Sequence, residues 1–440
     1  MRGVLSTGQD LLIGLRSVVE DDRDIEHVIR AAAGGNDTRD TPEHVIFRTN
    51  DSEPEIFARA RIKRGRITAL ELGEPLRSSR AQDDLIERAR RESSQDHGSR
   101  IFRRTLFSNL RMDGAFKWKD TVQLRPCSQE VVIDEPQTWM LEPLMTPPSM
   151  QRDGPPFPLV LEVRVPCSPN PIITVNRSLR LLQWWQDVLT VFVPGVLGTL
   201  EPTPERIWTF RLEDGIPRNR LIEAGFQTGQ DAQSDDFGHA AIVTLSPAKG
   251  FYDRLCTSDQ ALQIPDSLPD DLALLDTLDS VERQAFARAA YWFGAGLRAR
   301  LRREEPVAIT SFSAAIESLL PCIKRHRCSA CNQEVGNGPT FFFRQHLRRY
   351  APLDDNLGKL QAGLYKVRSA LVHGSHVQDV DIDVLGSFAK KWEMPLFEWN
   401  ARKSLLNWLR ASDRSTWQSQ RPLCEPCGQL NGAIQGKAIA

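Results

Sequence analysis

Three observations predict a mixed α+β chain: β-rich runs between residues 99 and 264, an acidic break after them, and sustained helical periodicity from residue 281 onward. From Ile101 to about Leu245, short runs such as RIFRRTLF, AFKWKDTVQL, PLVLEVRV, IWTFRL and AIVTLS are separated by Pro, Gly and Asp, the texture of an antiparallel sheet or sandwich. Beyond the break, apolar residues recur at three- and four-residue intervals and predict an α-helical bundle. Two Cys-x-x-C pairs in that half add a structural four-cysteine zinc site. The 440 residues exceed one ordinary domain and leave room for two or three.

Taken in order, residues 1–98 form a mixed α/β segment, either separate or part of the next domain. It has a helical start, a turn cluster GGNDTRDTP, a strand-like RIKRGRITALELGEP and a charged helix RAQDDLIERARRESSQDHGSR. Residues 99–264 form the β-rich domain, interrupted by one helix, RSLRLLQWWQDVLTVFV. Its Leu181, Trp185, Val188, Leu189 and Phe192 recur at helical spacing, which assigns them to a core rather than to a ligand or membrane element. Residues 265–280 read as an acidic linker. Residues 281–440 carry four or five helices. The first buries Val281, Ala285, Ala289, Trp292, Phe293, Leu297 and Leu301, and the second buries Phe312, Ile316, Leu319 and Ile323.

A net charge of -1 gives no chain-wide nucleic-acid signature, so any basic surface is local. The stretch Asp266 to Glu282 holds six acids and no base, whereas Pro321 to Tyr350 holds six Lys/Arg and one Glu. No apolar run is long enough to span a bilayer, and the first residues lack the pattern of a secretory leader. The expectation is a cytoplasmic protein with no membrane partner.

Of 8 cysteines, four make up CSAC, Cys328 and Cys331, and CEPC, Cys424 and Cys427. Under reducing conditions such pairs favour metal over disulfide. Four thiolates match closed tetrahedral Zn2+, which leaves no position for water and predicts a structural ion tying the insert after the second helix to the C-terminal tail. Cys322 lies nearby but on the second helix.

The segment LYKVRSALVHGSHV, Leu364 to Val377, carries Arg368, four residues and then His373. The same spacing at Arg39 and His44, in RDTPEH, contains a proline in a turn-rich stretch, whereas Arg368 lies on a strongly periodic helix. On that helix Leu360, Leu364, Val367 and Leu371 form the buried stripe and Arg368 flanks it. His373 is turned from the arginine by roughly 140°. For both side chains to meet one phosphate, either the helix unwinds near Gly374, a fitting C-terminal stop, or a second protomer brings its own copy. A dimeric composite site is the natural solution.

With FSAAIESLLP on an earlier helix, LYKVRSALVHG resembles the HEPN superfamily, especially the ApeA-like HEPN anti-phage proteins, over about residues 280–412. A Cys-rich insertion and tail also occurs among those relatives. The resemblance implies a HEPN-like helical domain acting as a homodimer and a metal-independent endoribonuclease of bacterial anti-phage defence. RNA, with tRNA foremost, would be cut at the composite site, gated by the N-terminal region as a sensor of a phage-derived trigger. Catalysis would need no cofactor. His373 would move a proton to or from the 2'-hydroxyl or leaving oxygen. Arg368 would hold the phosphate and offset developing charge, and Glu317 would orient Arg368 or His373. His376 reads as solvated.

The basic runs IKRHRC, with Lys324, Arg325 and Arg327, and FRQHLRR, with Arg348 and Arg349, offer RNA phosphate contacts, with Tyr350 or Phe341 placed to stack on bases. Ser369 stands where many active members have Asn, Asp or His. The competing reading is therefore a catalytically inactive HEPN nucleotide-binding or protein-interaction scaffold. A zinc-containing DNA-binding regulator is a third class, for which no recognition-helix pattern is found.

Overall fold

In the computed structural model the chain is mixed α+β, with a β-rich N-terminal region and helices towards the C-terminus. The structure describes residues 6–127 apart from short breaks, 157–198, 233–253, 261–320 without 303, 338–373 and 393–414 without 413, plus isolated strand segments between them. It divides into two units: residues 1–102, 163–182 and 233–237, and residues 103–162, 183–232 and 238–440.

In the first unit, β1 (Ser6–Thr7), β2 (Asn36–Thr41), β3 (His44–Arg48), β4 (Ile56–Lys63) and β5 (Arg66–Leu72) form an antiparallel sheet in the order β1-β5-β4-β3-β2. Helices α1 (Gln9–Val18), α2 (Asp22–Ala32) and α3 (Ser79–Ser93) share one core with it. Leu11, Leu12 and Leu15 of α1 and Ile25, Val28 and Ile29 of α2 are buried with Phe47, Ala60 and Leu70 of the strands, each large side chain contributing about 1.5–3 kcal/mol. The Ser78 hydroxyl caps α3, accepting from the Ala81 N–H at 3.2 Å. Only glycine fits at position 73, where a Cβ would lie 1.6 Å from the Ile56 carbonyl oxygen. The Arg39/His44 spacing falls in the β2–β3 hairpin.

The second unit contains most of another sheet. Strands β6 (Ser99–Ser108), β7 (Phe116–Trp118), β8 (Val122–Pro126), β9 (Phe157–Pro166) and β10 (Leu197–Gly198) are ordered β10-β6-β9-β8-β7. At its centre Glu162 is fully buried. It accepts from Arg103 Nε at 2.6 Å, Arg125 Nη2 at 3.0 Å, Gln123 Nε2 at 2.8 Å and the Gly238 N–H at 3.0 Å. Burial alone would push this carboxyl up, but the hydrogen bonds and charges of Arg125 and Arg103 hold it below its usual range. Helix α4 (Pro171–Phe192) places Trp185, Val188, Leu189 and Phe192 in the core, and the Trp185 ring centroid lies 5.6 Å from that of Trp118. The Trp-rich stretch is core, as its spacing predicts.

The acidic segment read as a linker carries α5 (Leu268–Asp276). Leu268, Leu272 and Leu275 are buried, and Asp271 pairs with Arg410 at 2.6 Å. Asp270 and Asp276 are exposed, whereas Asp271 lies on the buried face with the three leucines and is answered by Arg410, so charge content alone concealed a packed element. Helices α6 (Ser280–Leu301), α7 (Glu305–Glu317), α8 (Pro339–Tyr350), α9 (Asp355–Val372) and α10 (Glu393–Arg410) follow. Asp279 caps α6, accepting from the Val281 and Glu282 N–H groups at 2.8 Å. The buried stripe of α6 runs through Phe286, Ala289, Ala290, Phe293 and Leu297, while Val281 and Trp292 are exposed. Trp292 sits one residue, about 100°, off the stripe centred on Phe293, and Val281 lies in the first turn. Phe312 and Ile316 of α7 are buried, with Phe312 packing on Phe293 at 5.6 Å between centroids. From α10, the buried Arg402 donates to the Val191 carbonyl at 2.9 Å and also to that of Val193, satisfying the C-terminal end of α4. Among the described residues no helix is long and apolar enough to cross a membrane.

Candidate active site

The site begins with two helix ends. Helix α7 stops at Glu317, with Ser318 as its C-cap. This puts a carboxylate at the negative end of a helix dipole, a poor place for an anion unless a cation answers it. Arg368, in the last third of α9, is that cation: its Nη2 donates to Glu317 Oε2 at 2.9 Å. Both side chains are half-buried. Leu364 of α9 is fully buried one turn before Arg368, whereas Leu360, Val367 and Leu371 are only partly covered.

Burial raises the Glu317 carboxyl above its ordinary value, and the charge and hydrogen bond of Arg368 pull against that rise. Its second oxygen, Oε1, is buried and has no hydrogen-bond partner among the described residues. A guanidinium has five N–H donors, and among the described residues Arg368 gives one of its hydrogen bonds, to Glu317. Its plane also lies over the Tyr365 ring, 5.6 Å from the centroid. The arrangement can therefore hold an anion on Arg368 while Glu317 fixes the guanidinium from behind.

Helix α9 ends at Val372, and His373 is its C-cap, exposed, with its backbone N–H donating to the Ser369 carbonyl at 3.0 Å. The helix thus stops one residue before Gly374, which lies outside the described residues. Among the described residues, Arg368 and Glu317 are brought together, and the His373 side chain is bonded to neither.

Arg348 and Arg349 are exposed near the end of α8, with Arg349 stacked over Tyr350 at 5.4 Å. Tyr350 is 3% exposed, which corrects its reading as a base-stacking residue: it faces the core beside His346, 4.7 Å away between centroids. Phe341 is exposed. Lys324 and Arg325 lie outside the described residues, as do Cys328, Cys331, Cys424 and Cys427, together with Cys322, Ile323 and His376. Arg327 is described only by its backbone, in a two-stranded hairpin pairing His326–Arg327 with Glu334–Val335. Among the described residues no group of three or more His, Cys, Asp or Glu is arranged to hold a metal ion.

Sequence reasoning missed Arg344 and Lys359, which with Arg348 line a cavity formed by α8 and α9. The signal was present in Phe341, Arg344 and Arg348, spaced three and then four residues apart on one helix. Comparison with protein-family models, with curated proteins and with solved structures gives no match.

Proposed function

We propose that the chain is a metal-independent HEPN-type endoribonuclease of anti-phage defence, cutting RNA, with tRNA the foremost substrate, at a site composed by two copies of its helical half. The Arg368–Glu317 pair carries this reading. A cation reaching from one helix to a carboxylate on another, with donors to spare, is what phosphate capture beside a helix end requires. Arg368 binds the scissile phosphate, and Glu317 sets the plane of its guanidinium. His373, exposed at the helix end, transfers the proton of the 2'-hydroxyl or of the leaving oxygen. In this reading the partner protomer supplies a second Arg368–His373 set, and the β-rich region gates the site until a phage-derived trigger binds.

Zinc held by Cys328, Cys331, Cys424 and Cys427 braces the domain and takes no part in the chemistry, since four thiolates leave no open ligand position. The Cys-x-x-C spacing of each pair supports that reading, because it lets two thiolates wrap one side of an ion.

The test is tRNA cleavage by the wild-type chain beside Arg368→Ala and Arg368→Lys. Loss of cleavage in the alanine variant, with at most partial recovery in lysine, supports a bidentate phosphate clamp. Equal rates in all three would remove Arg368 from the chemistry. The inert-scaffold alternative draws on Ser369 beside the motif arginine and predicts no cleavage by any of them, with nucleotide or protein binding retained.

A further inference from the structure

At the end of α9 opposite to His373, a cavity of about 540 Å3 opens between α8 and α9, within the size range of small-molecule sites. We propose that it is a binding site for a phosphate monoester, the terminal phosphate of a free nucleotide or of an RNA 5' end.

Arg344 and Arg348 reach it from α8 and Lys359 from the first turns of α9, while Asp354 is the acid in its lining. Asp354 is already engaged as the cap of α9, accepting the Leu357 N–H at 3.0 Å. None of the three cations forms an ion pair with a described residue. Three positive charges facing one negative in a concave wall repel one another unless an anion joins them. The surplus of two matches the charge of -1.5 to -2 on a phosphate monoester at neutral pH, and exceeds the single charge of a backbone diester.

A second observation points the same way. Arg344 Nε is buried and has no acceptor among the described residues, and buried N–H groups are almost always satisfied. The exposed Phe341 precedes Arg344 by one turn on the same face of α8, where a base can stack while its phosphate enters the cavity.

Lys359 and His373 are separated along α9 by about 21 Å at 1.5 Å per residue. The cavity is therefore a separate site, and its assignment does not rest on the ribonuclease reading.

The experiment is calorimetric titration of the full chain at physiological salt with AMP, adenosine, and an RNA hexamer bearing either a 5'-phosphate or a 5'-hydroxyl. We expect saturable binding of the phosphorylated ligands, weakened about tenfold or more when the phosphate is absent, as loss of charge-assisted hydrogen bonds implies. Arg348→Gln and Lys359→Gln, both exposed and on different helices, should each reproduce that weakening, as should Arg344→Gln. Arg288→Gln, exposed on α6 and outside the cavity, should leave binding within about twofold of wild type. Tighter binding of AMP than of the 5'-phosphorylated hexamer identifies a free nucleotide as the source, and the reverse identifies an RNA end. Absence of phosphate-dependent binding at millimolar ligand would overturn the assignment, as would binding undiminished by Lys359→Gln and Arg348→Gln.

Discussion

Glu317 and His346 are two side chains whose protonation the fold alters in ways a titration can read. Burial raises the Glu317 carboxyl and Arg368 only partly offsets this. Its contribution to stability is therefore fully present below the ordinary value of 4.5 and is lost as pH rises through the folded value. Glu317→Gln should gain on the wild type as pH is raised from 4 to 7 in urea unfolding, and a constant difference would contradict the assignment. His346 is fully buried, and burial, helped by the charge of Arg349, lowers its imidazole from 6.5 to about 3. The unfolded chain takes up a proton near pH 6.5 that the folded chain refuses. The wild type should therefore lose up to about 1.4 kcal/mol per pH unit from this group as pH falls towards 3. His346→Phe should flatten that slope in acid-unfolding curves.

Among the elements, β9 poses the sharpest test because it holds a buried charge. Glu162 has Arg103 and Arg125 as partners on β6 and β8. Glu162→Ala, which removes the buried carboxylate that Arg103 and Arg125 both donate to, should cost about 3–5 kcal/mol in denaturant unfolding. Because its folded value is depressed, the wild-type contribution is present above 4.5 and disappears as pH falls through that lower value. The run PLVLEVRV announced the strand but not the partners of its glutamate, because pairing across a sheet depends on register, which local periodicity does not encode. In α5 the helical spacing of Leu268, Leu272 and Leu275 was present in the sequence but overshadowed by the acid content, and only the Asp271–Arg410 pair, with Arg410 contributed from far along the chain, was beyond local reading. Conversely, the core role of Trp185, Val188 and Phe192 was legible because a 3.6-residue period is a local property. In the candidate site Arg368 and Glu317 were legible as individual residues. Their contact was expected only through the family resemblance, in which Glu317 orients Arg368 or His373; local periodicity does not encode it, since it requires α7 and α9 to pack side by side.

At the scale of the whole molecule, the proposal joins a zinc-braced helical half to a β-rich region that controls it. Metal analysis of the purified chain should return about one zinc ion per chain, the stoichiometry of a closed four-thiolate site. Cys328→Ser and Cys424→Ser should each lower that content and the thermal stability together, since binding to such a site is also folding energy. Light scattering should give a dimer for the wild type and for His373→Ala alike, because His373 is exposed. The most direct measurement is the yield of fragments when total tRNA is incubated briefly in EDTA with the wild-type chain and with His373→Ala, zinc content being checked before and after. We expect fragments from the wild type alone, with both proteins dimeric and folded; equal cleavage by the two, or cleavage only after a divalent ion is restored, would contradict a metal-independent site built on His373.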